Sequence, residues 1–393
     1  CLKQSIDKQS ISDVNLGVFL SGGIDSTLLS VLKSQISVNK IETFTISFDQ
    51  VNYNEATYAK KISEFIGSNH TEILIKEKSV YKVIENLPSI YDEPFADSSQ
   101  IPTTILCKNA KKNLSVCLTG DGGDEIFGGY NRYIWFNKIW KNIYMLPKPI
   151  KLILSKIILM LPVEYWNNLS LILSKIKFLN YSQIHFFGQK LHKLSYNLKN
   201  IKNKKDLYYT FLRNFSNLDD FDNVLYETNF DFKNSFLESK YFEEVMMHND
   251  SINYLPNDIL TKVDRASMHS SLETRAPFLD INVMKTAWRL PKYMKVNNKK
   301  GKLILRDILD DYLPRNLFER PKQGFSIPIK DMLNGSLREW TNDLINSNVI
   351  NEEIFFKKKY VNKLIQEHSN GKKNWDNSLW AILIFTQWYN ANY

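Results

Sequence analysis

The stretch SGGIDST, residues 21–27, joins a predicted strand directly to a predicted helix. The apolar run at residues 14–20 favours a strand, and the apolar spacing over residues 24–35 favours a helix. Two adjacent glycines between them leave backbone N–H groups exposed at a helix N-terminus, a position suited to phosphate. The alternative interpretation is a capped helix after a glycine turn. A P-loop is excluded because the Gly-Lys pairs lie at residues 301–302 and 371–372 and are followed by Leu303 and Lys373.

Asp25 is the unexpected member of this stretch, because a carboxylate would repel a phosphate bound beside it. A divalent cation between the two groups removes the conflict. A second glycine-rich loop, TGDGGDEIFGGY at residues 119–130, follows a predicted strand at residues 114–118. Asp25 and Asp124 are therefore expected at the same sheet edge, where they could hold Mg²⁺ that bridges the phosphates of ATP. The alternative for the second loop is an acidic helix N-terminus with glycine turns.

Strand and helix signals alternate up to residue 130, which predicts an α/β fold: a parallel five-stranded sheet with helices on both faces. Ligands in such sheets bind beyond the carboxyl ends of the strands. From residue 135 onward helical spacing dominates, so a mainly helical C-terminal half is expected. We divide the chain into an α/β core at residues 1–134, a helical lysine-rich insertion at 135–250 and a helical C-terminal part at 251–393. The predicted strands are 14–20, 41–48, 71–75 and 114–118, and the predicted helices are 24–35, 54–66 (ending at Gly67), 80–90 and 101–110.

The 393 residues carry a net charge of +9, and the excess is concentrated in the lysine-rich segment 138–205. Such a segment could attract RNA or an acidic partner, but a solvated lysine face is the favoured interpretation, so no nucleic-acid partner is expected. Three cysteines without metal-ligand spacing are typical of a reducing compartment. No segment has the length and apolarity of a membrane span or the pattern of a signal peptide, so we expect a cytoplasmic protein without a membrane partner.

Three further stretches contain candidate functional residues. YDEPFADSS at residues 91–99 precedes a predicted helix, and Asp97 or Ser98 is a candidate N-cap. In residues 255–280, Arg265 and Arg275 could clamp an anion. Alternatively they pair with Asp264 and Glu273 and lock helices together, which is the favoured interpretation for Glu273 and Arg275.

The third of these stretches, RPKQGF at residues 320–325, has glycine and proline around Lys322. A mobile cation there could close over the site and neutralise charge that builds on a transferred phosphate. A surface turn is the alternative.

Together the five stretches resemble the synthetase domain of glutamine-dependent asparagine synthetases. SGGIDST is similar to the loop shared by the N-type ATP pyrophosphatases, the PP-loop or adenine nucleotide alpha hydrolase-like superfamily. TGDGGDEIFGGY, LETRAPFLD and RPKQGF narrow the resemblance to the asparagine synthetase group, and YDEPFADSSQIPT is similar to a bacterial subgroup. The resemblance covers nearly the whole chain, although residues 135–240 match only loosely.

The resemblance implies a carbon–nitrogen ligase of the EC 6.3.5.4 type with ATP and Mg²⁺. The aspartate side-chain carboxylate attacks the α-phosphorus of ATP to give β-aspartyl-AMP and pyrophosphate, and ammonia, derived from glutamine in full-length members, displaces AMP. Asp25 and Asp124 would bind Mg²⁺, Asp121 and Glu125 would lie near the reacting carbonyl, and Arg265 and Lys322 would stabilise the pentavalent phosphorus. The nucleotide contacts carried over are Leu20, Ser21, Gly22, Gly23, Asp25, Ser26, Ile46, Thr119 and Gly120.

Two features depart from the family pattern. Asp121 stands where many members have glutamate, so its side chain is one methylene shorter. The N-terminal glutaminase domain expected of the family has no room before Ser21, and Cys1 is interpreted as a coincidence. We therefore expect a truncated sequence that uses free ammonia, or glutamine through a separate partner, and a homodimer is possible.

Other functions of the same fold remain open at this point. Another amide-forming adenylase, such as a sugar-acid amidotransferase, a β-lactam synthetase or a peptide cyclase, would share the motifs but not the acceptor carboxylate. A tRNA-modifying ATP pyrophosphatase would agree with the lysines but leaves TGDGGDEIFGGY and LETRAPFLD unexplained. A non-catalytic scaffold disagrees with the near-complete set of family site residues.

Overall fold

A computed structural model of the chain describes residues 1–48, 55–175, 187–212, 237–320 and 327–393. These residues form two compact units. The first comprises the described parts of Cys1–Ile134 and Asp231–Pro328, and the second those of Trp135–Phe230 and Ile329–Tyr393. The division into three domains made from the sequence stays a prediction.

Five parallel strands form one sheet among the described residues: β1 (Leu16–Phe19), β2 (Glu42–Ser47), β3 (Asn69–Leu74), β4 (Val116–Leu118) and β5 (Glu273–Arg275). Their order across the sheet is β3-β2-β1-β4-β5. The predicted α/β class with a five-stranded parallel sheet is confirmed. The sequence did not place the fifth strand, because three polar residues on a sheet edge carry no apolar alternation.

The helices confirm the predicted alternation. The chain up to residue 144 contains α1 (Leu2–Gln9), α2 (Ile24–Ile36), α3 (Ala56–Ile66), α4 (Glu77–Ile90), α5 (Gln100–Ala110), α6 (Gly123–Phe127) and α7 (Asn131–Tyr144). Residues 148–212 contribute α8 (Lys148–Met160), α9 (Val163–Lys175), α10 (Phe187–Asn197) and α11 (Lys204–Leu212).

The first unit continues with α12 (Phe242–Asn249), a π-helix at Asp250–Leu260, α13 (Thr261–His269), α14 (Ile281–Arg289), α15 (Lys292–Lys295), α16 (Leu303–Asp310) and α17 (Arg315–Phe318). The second unit ends with α18 (Ile329–Asn334), α19 (Arg338–Ile345), α20 (Asn348–Asn351), α21 (Lys358–Ser369) and α22 (Asp376–Asn392).

Several boundaries differ from the sequence prediction for local reasons. Helix α4 begins at Glu77, three residues before the predicted start. The prediction missed this first turn because it is polar and shows no apolar periodicity. Helix α3 follows Glu55 and ends as predicted at Gly67, which adopts the left-handed conformation that caps helix C-termini. The start of this helix predicted at residue 54, where an asparagine cap is expected, lies outside the described residues.

The core of the first unit lies between the sheet and the helices packed on it. Val18 on β1 and Leu118 on β4 are fully buried, as are Leu28 on α2 and Phe278 after β5. Burying each such side chain contributes about 1.5–3 kcal/mol. This packing fixes the carboxyl ends of the two central strands, from which both glycine-rich loops emerge.

In the second unit, helices α18 to α21 pack against the C-terminal helix α22. Trp380 of α22 is fully buried, and its ring centroid lies 5.8 Å from that of Trp340 on α19. Lysines on α7 and α8, among them Lys138, Lys141 and Lys156, are exposed, whereas Lys151 is half buried. The solvated lysine face stays a prediction. Within the described residues, no helix combines the length and apolarity that crossing a membrane requires.

Arg275 on β5 joins the sheet edge to the C-terminal end of α1. Its Nε donates to Glu273 Oε1 at 2.6 Å, and its Nη1 donates to the carbonyl oxygens of Gln9 and Ile11 at 2.7 and 2.8 Å. The predicted pairing of Arg275 with Glu273 is therefore confirmed. The two residues lie on a strand, however, so Arg275 joins a strand to α1 and does not lock two helices together. The carbonyls at a helix C-terminus lack intrahelical donors, and the guanidinium supplies them.

Replacing Arg275 by glutamine tests this contact. Arg275→Gln removes three charge-assisted hydrogen bonds from a partly buried site, so we expect the free energy of unfolding to fall by about 1.5–3 kcal/mol. Urea denaturation at neutral pH measures the loss. Arg315→Gln is the matched control, because its ion pair with Asp310 is exposed and its removal should leave the unfolding midpoint nearly unchanged. Equal midpoints for the two variants would contradict the proposed fastening role.

Candidate active site

Two loops leave the sheet at neighbouring carboxyl ends. Strands β1 and β4 are hydrogen-bonded neighbours, with Val18 opposite Leu118. The loop after β1 contains SGGIDST, and the loop after β4 contains TGDGGDEIFGGY. Parallel pairing therefore brings the two glycine-rich stretches to one edge of the sheet, as the sequence predicted.

The first loop is held by its own hydroxyl groups. Ser21 Oγ and Ser26 Oγ lie 2.9 Å apart, and the Ser21 and Gly23 N–H groups donate to Ser26 Oγ and Ser21 Oγ respectively. Gly22 has φ +73°, which favours glycine. Helix α2 starts at once after Gly23, so its first N–H groups point toward the space beyond the strands.

Arg320 supports the same loop from behind. Its Nε donates to the Gly22 carbonyl and its Nη2 to the Ser21 carbonyl, both at 3.1 Å. Its Nη1 lies 2.8 Å from Glu55 Oε1, and its guanidinium carbon lies 5.0 Å from the Tyr58 ring centroid. Arg320 thus fixes the loop carbonyls, although sequence analysis gave this arginine no role.

The carboxylates of Asp25 and Asp124 converge on one cation, the ammonium of Lys302. Lys302 Nζ lies 2.5 Å from Asp124 Oδ1 and donates a hydrogen bond to Asp25 Oδ2. The Lys302 side chain is only 8% exposed. Burial alone would lower the Lys302 pKa, but Asp124 and Asp25 outweigh that effect and raise it.

Close packing around this ion triad requires glycine at residue 129. A Cβ atom there would overlap Asp124 Oδ1 and Lys302 Cε. The Gly129 N–H also donates to the Asp124 carbonyl at 2.8 Å. The glycines of TGDGGDEIFGGY therefore include a position at which the approach of Lys302 leaves no room for a side chain.

Beside the triad lies Glu125, which is 1% exposed and accepts a hydrogen bond of 2.5 Å from the Tyr130 hydroxyl. Burial raises the pKa of Glu125 to about 7, with a further contribution from Asp124. Burial likewise raises the pKa of Asp121 above its ordinary value. Asp121 lines the cleft described next, whereas Glu125 and Gly22 are not among its lining residues.

A cleft with a volume of about 790 Å³ opens at this edge, within the range of small-molecule sites. Its lining includes the apolar side chains of Leu20, Phe44 and Ile46 as well as the three residues of the ion triad. The cleft brings together most of the residues predicted to contact a nucleotide, namely Leu20, Ser21, Gly23, Asp25, Ser26, Ile46, Thr119 and Gly120.

A second buried lysine lines the same cleft. Lys262 Nζ lies 2.8 Å from Asp97 Oδ2, and Asp97 also accepts hydrogen bonds from the N–H and hydroxyl of Ser99. Burial would raise the Asp97 pKa, but Lys262 and Ser99 outweigh it and hold that pKa at about 2. Burial and the charge of Asp97 raise the pKa of nearby Asp258 to about 8.

The expected N-cap role is therefore wrong for Asp97 and Ser98. Helix α5 begins at Gln100, and Ser99 occupies the cap position without a side-chain capping bond. Asp97 instead binds the backbone of the preceding turn and the buried Lys262. An N-cap signal and an anchor for a distant lysine look alike in sequence, because both need a short acid before a helix.

Arg265 and Lys322 complete the predicted site residues. Arg265 on α13 is half exposed, pairs with Asp92 at 3.3 Å and with Asp264 at 3.5 Å, and is not among the residues lining the cleft. Lys322 lies outside the described residues. Their assignment as phosphate contacts stays a prediction.

Comparison with known proteins identifies the family. The Asparagine synthase family model matches residues 1–390, and the chain belongs to this family. It is 29% identical over 391 residues to "Asparagine synthetase [glutamine-hydrolyzing] 1" of Bacillus subtilis, covering 99% of this chain and 58% of the relative. It is also 31% identical over 397 residues to "Putative asparagine synthetase [glutamine-hydrolyzing]" of Mycobacterium bovis, covering 99% of this chain and 56% of that protein. The chain thus spans little more than half the length of these relatives.

The pair formed by Lys262 and Asp97 yields a stability prediction. Lys262→Met leaves a buried carboxylate without its counter-ion, so we expect a loss of about 3–5 kcal/mol in the free energy of unfolding. Adding Asp97→Asn removes that charge, and the double variant should be more stable than Lys262→Met alone by at least about 1 kcal/mol.

Urea denaturation of both single variants and the double variant completes the cycle. The exposed Lys285→Met, which removes a lysine without touching the cleft, serves as the control. Strict additivity of the two substitutions would show that the pair is not coupled.

Proposed function

We propose that this chain carries out ATP-dependent synthesis of asparagine from aspartate, with β-aspartyl-AMP as the intermediate and AMP and pyrophosphate as products. The observation that carries the proposal is the convergence of Asp25 and Asp124, from two separate loops, on one cation at the cleft. Membership of the asparagine synthase family over residues 1–390 supports it. The enzyme is a carbon–nitrogen ligase.

ATP is proposed to bind along the cleft from its apolar side chains toward the ion triad. Leu20, Ile46 and Gly120 would contact adenosine, since the first two are buried apolar side chains and glycine permits close approach. The loop N–H groups near Gly22 and Gly23, with the hydroxyls of Ser21 and Ser26, would hold the pyrophosphate. Thr119 lies beside Gly120 in the second loop.

The residues at the triad fit Mg²⁺ in their chemistry. Mg²⁺ in nucleotide enzymes is held by one or two carboxylates together with phosphate oxygens, and two carboxylates here already share a cation. When bound, the metal would offset the repulsion between phosphates and an attacking carboxylate. Asp25 and Asp124 are the proposed ligands. In the described part of the chain, no cluster of three or more His, Cys, Asp or Glu offers a metal site without phosphate.

Cationic side chains would stabilise the pentavalent phosphorus. Lys302 is the candidate that the structure adds, because its ammonium already lies at the triad and lines the cleft. Arg265 and Lys322 are retained from the family resemblance. A positioned ammonium acts most strongly where charge develops in the transition state.

The second half-reaction needs a group that orients ammonia. Asp121 is proposed for this role because it lines the same cleft as the two buried lysines, Lys262 and Lys302. Glu125 would act from beneath, held by Tyr130. The shorter side chain of Asp121, compared with the glutamate of many family members, places its carboxyl nearer to the backbone of the second loop.

The charged residues around Lys262 favour an amino acid over a sugar acid as the substrate whose carboxylate is activated. Lys262 offers a cation for an α-carboxylate, while Asp97 and Asp121 offer anions for an α-ammonium group. A sugar acid has no ammonium group to offset these two acids. Ammonia is the proposed nitrogen donor for this chain, and glutamine would serve through a glutaminase domain or partner, in agreement with the names of the relatives.

An acceptor-dependent assay tests the proposed reaction. With ATP, Mg²⁺, aspartate and ammonium, we expect stoichiometric AMP, pyrophosphate and asparagine, and ATP–pyrophosphate exchange that needs aspartate but not ammonium. Glutamate and galacturonate in place of aspartate are the controls for chain length and for the α-ammonium group. Exchange supported by galacturonate and not by aspartate would assign another acceptor to this site. Activity that requires tRNA would assign the chain to a modification enzyme.

Asp25→Asn tests the proposed metal ligand. Loss of one carboxylate should reduce kcat by on the order of 100-fold, and more Mg²⁺ should be needed for half-maximal rate, because charge stabilisation at the phosphates is lost. Asp13→Asn, an exposed carboxylate before β1, is the control. Thermal unfolding monitors the fold of both proteins. Near-normal turnover of Asp25→Asn at unchanged Mg²⁺ would remove Asp25 from the metal site.

A further inference from the structure

We propose that Lys302 occupies the metal position until a nucleotide arrives, so that Mg²⁺ does not load the site alone and enters only with the phosphates of ATP. This inference rests on the proposed function, since it assigns the order of loading to the same site. It gives Lys302 a role before catalysis. The ammonium acts as an internal cation that keeps Asp25 and Asp124 together in the empty enzyme.

The Lys302 ammonium lies where a metal bound by Asp25 and Asp124 would lie. Its single Nζ contacts carboxylates from two different loops, Asp25 after β1 and Asp124 after β4. A third independent segment delivers it, because Lys302 precedes α16. The lysine side chain is almost entirely buried and the two carboxylates are mostly buried, so water screens these contacts less than it would at the surface.

The backbone at Lys302 is held in an unusual conformation that aims the side chain. Lys302 has φ +55°, a left-handed conformation that costs a non-glycine residue free energy. Its N–H donates to the Phe127 carbonyl at 3.2 Å, which fixes it to the end of α6. Gly129 provides the space that the aliphatic stem fills. Such strain persists where the surrounding structure fixes a side chain for a purpose.

Electrostatics then sets the order of binding. Free Mg²⁺ would have to expel the ammonium from both carboxylates and leave it buried without a counter-ion, which is costly. The protein would offer that metal two carboxylates and no phosphate oxygen. An ATP polyphosphate supplies new anionic partners for the ammonium and further oxygen ligands for the metal, so the exchange becomes favourable only when both enter.

Direct measurement of Mn²⁺ binding tests the order without an activity assay. Electron paramagnetic resonance titration of the nucleotide-free full chain with Mn²⁺ alone should show no saturable site in the wild type up to millimolar metal. Lys302→Met removes the ammonium but keeps the length of the stem, and should bind one Mn²⁺ at least about tenfold more tightly than the wild type. Adding Asp25→Asn to Lys302→Met should abolish that site.

Lys300→Met is the matched control, because it removes a half-exposed lysine two residues away whose ammonium pairs with Glu319 rather than with Asp25 or Asp124. It should bind Mn²⁺ as the wild type does. Thermal unfolding checks each variant, and Lys302→Gln replaces Lys302→Met if the latter does not fold. The proposal is overturned if the wild type binds Mn²⁺ without nucleotide through Asp25, or if neither variant of Lys302 gains a site.

Failure of this inference is distinguishable from failure of the proposed function. Aspartate-dependent ATP–pyrophosphate exchange by the wild type tests the function, whereas nucleotide-free Mn²⁺ titration tests the occupancy of the triad. Normal exchange together with metal binding by the empty wild type would retain the ligase and reject the role of Lys302. A gain of Mn²⁺ binding that survives Asp25→Asn would place the metal elsewhere and also overturn the inference.

Discussion

The ion triad of Asp25, Lys302 and Asp124 is the interaction on which the site depends. Two carboxylates with no cation between them would repel each other across a buried space and drive the two loops apart. One ammonium, contacted by both, holds the two loops together at the place where we propose that the metal and the phosphates of ATP bind. The sheet makes this possible because parallel pairing of β1 with β4 places both loops at the same edge.

Around that triad, the fold supports each loop by a contact that comes from far along the chain. Arg320 holds the carbonyls of the first loop, and the Arg275 carbonyl accepts the Thr119 N–H at the start of the second. The last strand, β5, therefore does more than widen the sheet. It ties the second loop to the segment that also fastens α1.

One physical difference separates the features that the sequence predicted from those that it missed. The α/β class and the convergence of Asp25 with Asp124 were predictable, because apolar periodicity identifies strands and parallel strands share an edge for their carboxyl ends. Lys302, Lys262 and Arg320 were not, because their partners lie 277, 165 and 298 residues away. Ion pairs over such separations leave no local pattern, and Gly301-Lys302 was visible only as a pair that failed to fit a P-loop. The N-cap expected at Asp97 failed for the same reason, since its partner Lys262 is distant.

The two buried lysines of the cleft show how similar ion pairs can serve different purposes. Asp97 is fixed by two hydrogen bonds from Ser99 as well as by Lys262, so that pair is anchored to the turn before α5. Asp25 and Asp124 instead converge from separate loops on an ammonium that reaches them at the end of a long stem. An anchored pair forms part of the wall against which an acceptor can be oriented. In the proposed function, Mg²⁺ would replace the ammonium that the two loops share when ATP binds, whereas the anchored pair would stay in place.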